Sequence, residues 1–181
     1  MRYKCAATTA VLACGLVACA QDAPAEKYAS KDGGYAVRFP TGAVITTKTQ
    51  DVAPGLKTTI TTAIDKAERR TYIVSYTPHQ KGVLKSSVKA ILDLGEKVTL
   101  AQPGTTRVSA KDFTFGKEKY PVREILSVRD QNETRTRFIL AEPILYTLVI
   151  GGPKEFASSK EASEFLDSLE ITPPGKTKAK K

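Results

Sequence analysis

The chain of 181 residues has no tryptophan, one histidine, one methionine and three cysteines, none of them beyond Cys19. Each shortage removes a class of function. A body without cysteine holds no disulfide scaffold, no Cys/His zinc site and no thiol nucleophile. A single imidazole, His79, excludes any catalytic device that needs two. Charge is also thinner than it first looks. The formal net charge is +9, but Arg2 and Lys4 lie in the first few residues and Lys176, Lys178, Lys180 and Lys181 in the last few. The body between them keeps an excess of only three positive charges and is mildly basic.

What is present begins with the leader, MRYKCAATTAVLACGLVAC. Two cations precede an apolar run from Ala6 to Ala18 that is too short to span a bilayer as a helix. Its end, Leu16-Val17-Ala18-Cys19, resembles the lipobox of bacterial lipoproteins, in which the thiol carries a diacylglycerol and the peptidase cuts just before it. Val11-Leu12-Ala13-Cys14 is a rival match that would leave a shorter apolar region. An ordinary signal cut near Ala18 or Ala20, or a short uncleaved anchor, is the alternative. On the lipobox reading residues 1–18 are a signal peptide and Cys19 is the lipidation site. Residues 19–29 are then the lipidated Cys and its tether, 30–172 a single domain, and 173–181 a basic tail. About 0.8 kcal/mol per buried methylene makes two or three acyl chains a stable anchor. The expected location is therefore extracytoplasmic, at a bacterial cell membrane.

The body reads mostly with period two. Tyr35, Val37 and Phe39 alternate with Ala36 and Arg38. The segments 56–64 and 72–76 alternate likewise, joined by the polar connection 65–70. The period then changes: Leu84, Val88, Ile91 and Leu92 share one helical face. Four more strands are predicted, at 107–115, 121–129, 134–141 and 144–150. Ser158 and Glu161 have capping-box spacing before an apolar stripe of Ala162, Phe165, Leu166 and Leu169. The predicted order β-β-β-α-β-β-β-β-α, with short connections, implies an α+β fold. Its mainly antiparallel sheet would have about six to seven strands flanked by two helices.

These segments carry a resemblance. The opening Gly33-Gly34-Tyr35-Ala36-Val37-Arg38-Phe39-Pro40 and the strand Tyr72-Ile73-Val74-Ser75-Tyr76 belong to it. So do Pro121-Val122-Arg123-Glu124, Arg137-Phe138-Ile139-Leu140, Leu145–Gly151 and Phe165–Leu169. In order and spacing they resemble secreted bacterial proteins of the PsbP/Mog1-like fold, over roughly Ser30 to Thr172. The segment Tyr120-Pro121-Val122 departs from relatives that carry a glycine there. The resemblance implies a compact antiparallel sheet with flanking helices, and a binding or assembly accessory with no catalytic motif to carry over.

Candidate chemistry is sparse. His79, in Thr77-Pro78-His79-Gln80, has the options of general base or metal ligand, and is expected as an exposed imidazole in a polar turn. Ser86 and Lys89 match the Ser-x-x-Lys spacing and could meet on one helix face, but the motif is isolated. Gly151-Gly152-Pro153-Lys154 is expected as a plain turn. No metal ligand set, cofactor motif or catalytic residue is expected.

The arginines offer more. With the hairpin turning through Asp130 to Glu133, Leu126 pairs with Phe138 and Val128 with Thr136. Arg129 then faces Arg135, Ser127 faces Arg137, and Arg123 lies farther along the same face. That register predicts a basic stripe of Arg123, Arg129, Arg135 and Arg137. With the Lys tail, it would contact an acidic protein, a cell-wall polymer or lipid headgroups, or else simply keep the sheet solvated. Nucleic acid is disfavoured by location and by the lack of interleaved aromatics. The leading expectation is a membrane-anchored, non-catalytic binding or assembly module. A polyanion-binding surface protein is the alternative, and a hydrolase of unknown type the second.

Overall fold

The computed structural model describes residues 27–172, except the side chains of residues 85 and 86. Cys19 and the Lys tail lie outside the described residues. In chain order the elements are β1 (Lys27–Ser30), β2 (Tyr35–Arg38), β3 (Val44–Ala53), β4 (Leu56–Asp65), β5 (Arg70–Pro78), α1 (Val83–Ser86) and α2 (Val88–Leu100). Then follow β6 (Thr106–Phe115), β7 (Tyr120–Arg129), β8 (Asn132–Ala141), β9 (Ile144–Pro153), α3 (Lys160–Asp167) and β10 (Glu170–Ile171). The expected α+β order recurs within this list, with β1, β3 and β10 added and the first helix interrupted at Ser87.

Seven antiparallel strands form the main sheet in the order β3-β4-β5-β9-β8-β7-β6, and β1-β2-β10 form a small second sheet. The chain leaves β5 through α1 and α2, crosses to the far edge at β6, and returns by hairpins until β9 docks beside β5. Three of the added pieces explain themselves physically. β1 takes up residues 27–29 of the expected tether because Tyr28 packs edge-on against Phe39, with ring centroids 5.7 Å apart, and Lys27 pairs with Glu170 at 2.8 Å. β10 pairs with β2, so both ends of the described chain meet on one strand. β3 is exposed along all ten residues, so it has no buried alternation to betray it.

The two faces of the main sheet are covered differently. The inner face carries Tyr72, Val74, Ile139, Tyr146, Leu148 and Ile150, all fully buried under the small sheet and α3. α3 buries the expected stripe of Ala162, Phe165 and Leu166, and Leu169 beyond it. Its N-cap is Ser159 rather than Ser158: the Ser159 hydroxyl accepts from the Ala162 amide at 3.2 Å. The Ser158 amide and hydroxyl instead donate to the buried Glu133 carboxylate, at 2.9 and 3.0 Å. The outer face has α2, which packs on β7 and β8. A smaller cluster of Leu84, Leu92 and Leu140 joins helix to sheet there. Gly95 lets α2 approach, since a Cβ at that position would lie 3.0 Å from the Phe138 ring.

Candidate functional site

The four arginines singled out from the sequence do not share a face. The β7–β8 hairpin turns on two residues, Asp130 and Gln131, and pairs Arg129 with Asn132, Leu126 with Arg135, Glu124 with Arg137 and Arg123 with Phe138. This differs from the expected register by three residues, and an odd shift exchanges the faces of one strand relative to the other. Asp130 takes φ 56°, a left-handed conformation that short polar side chains tolerate, and this closes the tighter loop. Arg123 and Arg129 therefore lie on the outer face, Arg135 and Arg137 on the inner one. The continuous basic stripe is replaced by two separate ion-pair networks.

The inner network centres on Glu124, which is buried. Its Oε1 is 3.0 Å from Lys111 Nζ and 2.8 Å from Arg135 Nη2, and its Oε2 is 2.7 Å from Arg137 Nη2. Burial alone would raise the Glu124 pKa. Hydrogen bonds from Arg135, Lys111 and Arg137 outweigh it and hold the carboxyl below its usual range. Arg137 also donates to the Leu166 carbonyl at 3.0 Å and pairs with Asp167 at 2.9 Å, so it satisfies the C-terminal end of α3. Its guanidinium stands 5.3 Å from the Phe113 ring centroid. Three cations share two carboxylates here, and the buried Arg137 is fixed on every side.

The outer network centres on Arg123, which meets Asp112 at 2.7 Å, Asp93 at 2.7 Å and Glu96 at 3.2 Å. The hydrogen bonds it donates to Asp112 and Asp93 drive its pKa upward. Arg107 pairs with Glu96 at 2.5 Å and Lys89 with Asp93 at 2.6 Å, so three cations face three carboxylates. Arg129 donates to the Gln102 side chain. This network ties α2 to β6 and β7. The outer cluster is balanced and the inner one keeps a single cation in excess, and the four arginines, divided between the two faces, form no continuous stripe.

The remaining candidates also change. His79 is half-buried, and its Nε2 and the Glu142 Oε2 are both shielded without a hydrogen-bond partner. Its backbone amide donates to the Pro143 carbonyl at 2.7 Å, and Glu142 accepts from the Gly82 amide. Burial lowers the His79 pKa, with the Glu142 charge opposing it, so the imidazole is neutral near neutral pH. The expected exposed turn is thus a partly closed corner, because the β8–β9 connection folds over it. Ser86 ends α1 and Lys89 lies in α2. Ser87 between them, at φ −137° and ψ 30°, breaks the single helix face that their pairing required. Gly151 and Gly152 belong to β9, where a Cβ at Gly152 would lie 2.5 Å from the Phe156 ring. Among the described residues no three His, Cys, Asp or Glu side chains are grouped to hold a metal ion, and no helix is long and apolar enough to cross a membrane.

Three core tyrosines, Tyr35, Tyr72 and Tyr146, each place the hydroxyl on a separate partner. Tyr35 donates to Thr61 at 3.1 Å and Tyr146 to the Gly33 carbonyl at 2.6 Å. Burial pushes the Tyr35 phenol up to about 12. Tyr35 and Tyr146 thus hold the small sheet and its turn to the main one as neutral donors, while Tyr72 donates to Glu161 of α3 at 2.6 Å.

The architecture is that of the PsbP-like fold: a seven-stranded antiparallel sheet, a small second sheet and flanking helices. Among solved structures the chain is similar to cyanobacterial PsbP (CyanoP) from Synechocystis sp. PCC 6803. The identity is 13% and the TM-score 0.60, covering 88% of this chain and 97% of that one. It is also similar to a protein of unknown function from Pseudomonas aeruginosa at 9% identity, covering 83% of this chain and 99% of that one, with a TM-score of 0.46. No family model and no curated protein matches the sequence.

Proposed function

We propose that the chain is an extracytoplasmic lipoprotein, anchored to a bacterial cell membrane through Cys19, that acts without catalysis as a binding or assembly module. The observation that carries this reading is the PsbP-like fold running through nearly the whole body, directly after a leader that ends in a lipobox-like motif. Seven residues separate Cys19 from Lys27, where β1 starts, so the tether is short and holds the domain close to the bilayer. The arginines contribute to the module as internal ties, and its partner is a protein rather than a polyanion drawn to them.

The test is fractionation and acyl-chain labelling of the intact chain beside Cys19→Ala, followed by crosslinking pull-down from native membranes. The expected result is labelling and membrane retention that both vanish in Cys19→Ala, and one stoichiometric protein partner. Retention of Cys19→Ala in the membrane fraction would remove the anchor from that position. Recovery of only glycan or lipid, released by salt, would favour a polyanion-binding protein.

A further inference from the structure

The single imidazole of the chain stands where two connections meet. β5 ends at Pro78, and a lead segment of residues 79–82 runs from it into α1. The β8–β9 turn, Glu142-Pro143, closes over the same spot, since Pro78 pairs with Ile144. Two hydrogen bonds running in opposite directions clip the segment to the turn. The His79 amide donates to the Pro143 carbonyl at 2.7 Å, and the Gly82 amide donates to Oε1 of Glu142. Gly82, at φ 93°, is the residue from which α1 starts. Two residues on, Leu84 is buried in the small cluster with Leu92 and Leu140. The clip therefore sets where the crossover leaves the sheet.

At this clip two polar atoms have nothing to bond. His79 Nε2 and Glu142 Oε2 are both shielded, and neither has a hydrogen-bond partner among the described residues. A neutral imidazole tolerates this, because one of its nitrogens is a bare acceptor. A second proton makes both ring nitrogens donors. Nε2 then carries an N–H and a share of positive charge in a shielded place without an acceptor in bonding reach, which burial penalises heavily. Glu142 attracts that charge but makes no bond to it as placed, its carboxylate being held at Gly82. Accordingly, burial lowers the His79 pKa and the Glu142 charge opposes the shift without cancelling it. The other sides of the corner are neutral or solvated. Ile144 and Leu145 of β9 and Val83 and Leu84 of α1 bring no charge, and Lys81 of the segment and Lys57 of β4 are exposed.

We infer that this corner is an acid-operated clasp, in which a proton on His79 releases the lead segment and the start of α1 from the β8–β9 turn. The imidazolium cannot rest where the neutral ring rests, because its new N–H finds an acceptor only in water. Moving the ring outward draws the His79 backbone from Pro143, and the Gly82 amide three residues on leaves Glu142 with it. The segment is built to move alone. α1 is a single turn, Val83 is 42% exposed, and Ser87 at φ −137° separates α1 from α2. The start of the crossover can therefore shift without unwinding the longer helix, and the strand pairs of β5 with β9 stay in place. The sign follows from linkage. The closed corner binds the proton less well than the open one, so closure is complete above the open form's pKa. It weakens as pH falls from there toward the lower value of the closed form. This inference does not depend on the anchor or on the partner proposed above.

Nuclear magnetic resonance of the full-length chain in nonionic detergent micelles reads both halves of the clasp, since one imidazole gives one titration curve. His79 is expected to titrate below an unstructured histidine. Hydrogen-exchange protection factors, which discount the intrinsic pH dependence of exchange, are expected to fall about threefold or more at the His79, Gly82 and Val83 amides between roughly pH 7.5 and 5. Those of Val74 and Leu148, in the core strands, hold. His79→Gln removes the pH dependence at Gly82 and Val83. Glu142→Gln keeps an acceptor for the Gly82 amide but loses the charge that favours the proton, so His79 titrates lower still and the loss of protection moves to lower pH. Circular dichroism checks the fold of both variants, and Glu142→Gln decides if His79→Gln unfolds. A titration at or above that of an unstructured histidine overturns the inference, because the closed corner then welcomes the proton. Protection that stays flat across the range overturns it, and so does a pH dependence that survives His79→Gln.

Discussion

The two faces of the main sheet use similar side chains to different ends. On the inner face large residues meet two layers and vanish from solvent: Tyr72, Ile139, Tyr146 and Leu148 are fully buried. On the outer face Ile60, Thr62, Ile73 and Val149 are only half-buried, although Thr58, Thr77 and Thr136 are buried, and the separate small cluster lies where the helices meet β8 and β9. The strands thus read as amphipathic in β4 and β5 and as two-sided near α2. The difference teaches that stability is concentrated in the inner layer, where two sets of large side chains meet.

Matched truncations break that comparison most sharply. Ile139→Ala, in the inner core, is expected to cost about 3–4 kcal/mol, from lost transfer energy and the cavity it leaves. Chemical denaturation would show it as a lower midpoint at unchanged slope. Glu124→Gln comes next at about 3 kcal/mol, because two enclosed guanidiniums lose their shared anion. It carries a pH signature as well. The folded pKa of Glu124 lies below its unfolded value, so its contribution is complete above the unfolded value and is lost as pH falls through the folded one. Stability should decline below about pH 4 in the parent chain and more shallowly in Glu124→Gln. Ser159→Ala, which removes the α3 N-cap, should cost about 1 kcal/mol. Ile64→Ala, on the outer face at a side chain 40% exposed, should cost about 0.5 kcal/mol. A loss equal to that of Ile139→Ala would mean that the outer half is covered after all.

Legibility in the sequence followed the same division. Tyr35-Ala36-Val37-Arg38-Phe39 alternates because one side of β2 faces the core, and the α3 stripe repeats because one side of that helix does. β3 left no trace, since Val44-Ile45-Thr46-Thr47-Lys48-Thr49 is solvent-exposed on both sides and nothing selects a period. The hairpin of β7 and β8 was readable as a hairpin but not in register. Both its faces are buried, so Leu126 and Val128 on one side and Ile125 and Ser127 on the other give two acceptable solutions. The deciding signal was local: Asp130 is suited to a left-handed turn position, and Glu124 placed opposite Arg137 satisfies a charge that the expected register leaves facing Ser127. With the register went the arginine stripe. Asp93, Glu96 and Asp112 neutralise Arg123 from a helix and a neighbouring strand that no pairwise pattern within the hairpin could reveal. The lipobox reading stands apart, because it concerns recognition of the leader and not folding of the body.

The small sheet has a mechanical consequence. β1 is four residues long, it pairs with β2 alone, and Lys27 sits at the open end of that hairpin, clipped to Glu170. A pull applied through residue 26 loads the pairs one after another, Lys27–Arg38 first, so the strand peels instead of shearing. Four residues at about 3.4 Å each would lengthen the leash by roughly 14 Å. The seven-stranded sheet would feel no force until that slack was taken up. Pulled from its N-terminal side, the domain would have a yielding first stage, and its extension would be adjustable under tension.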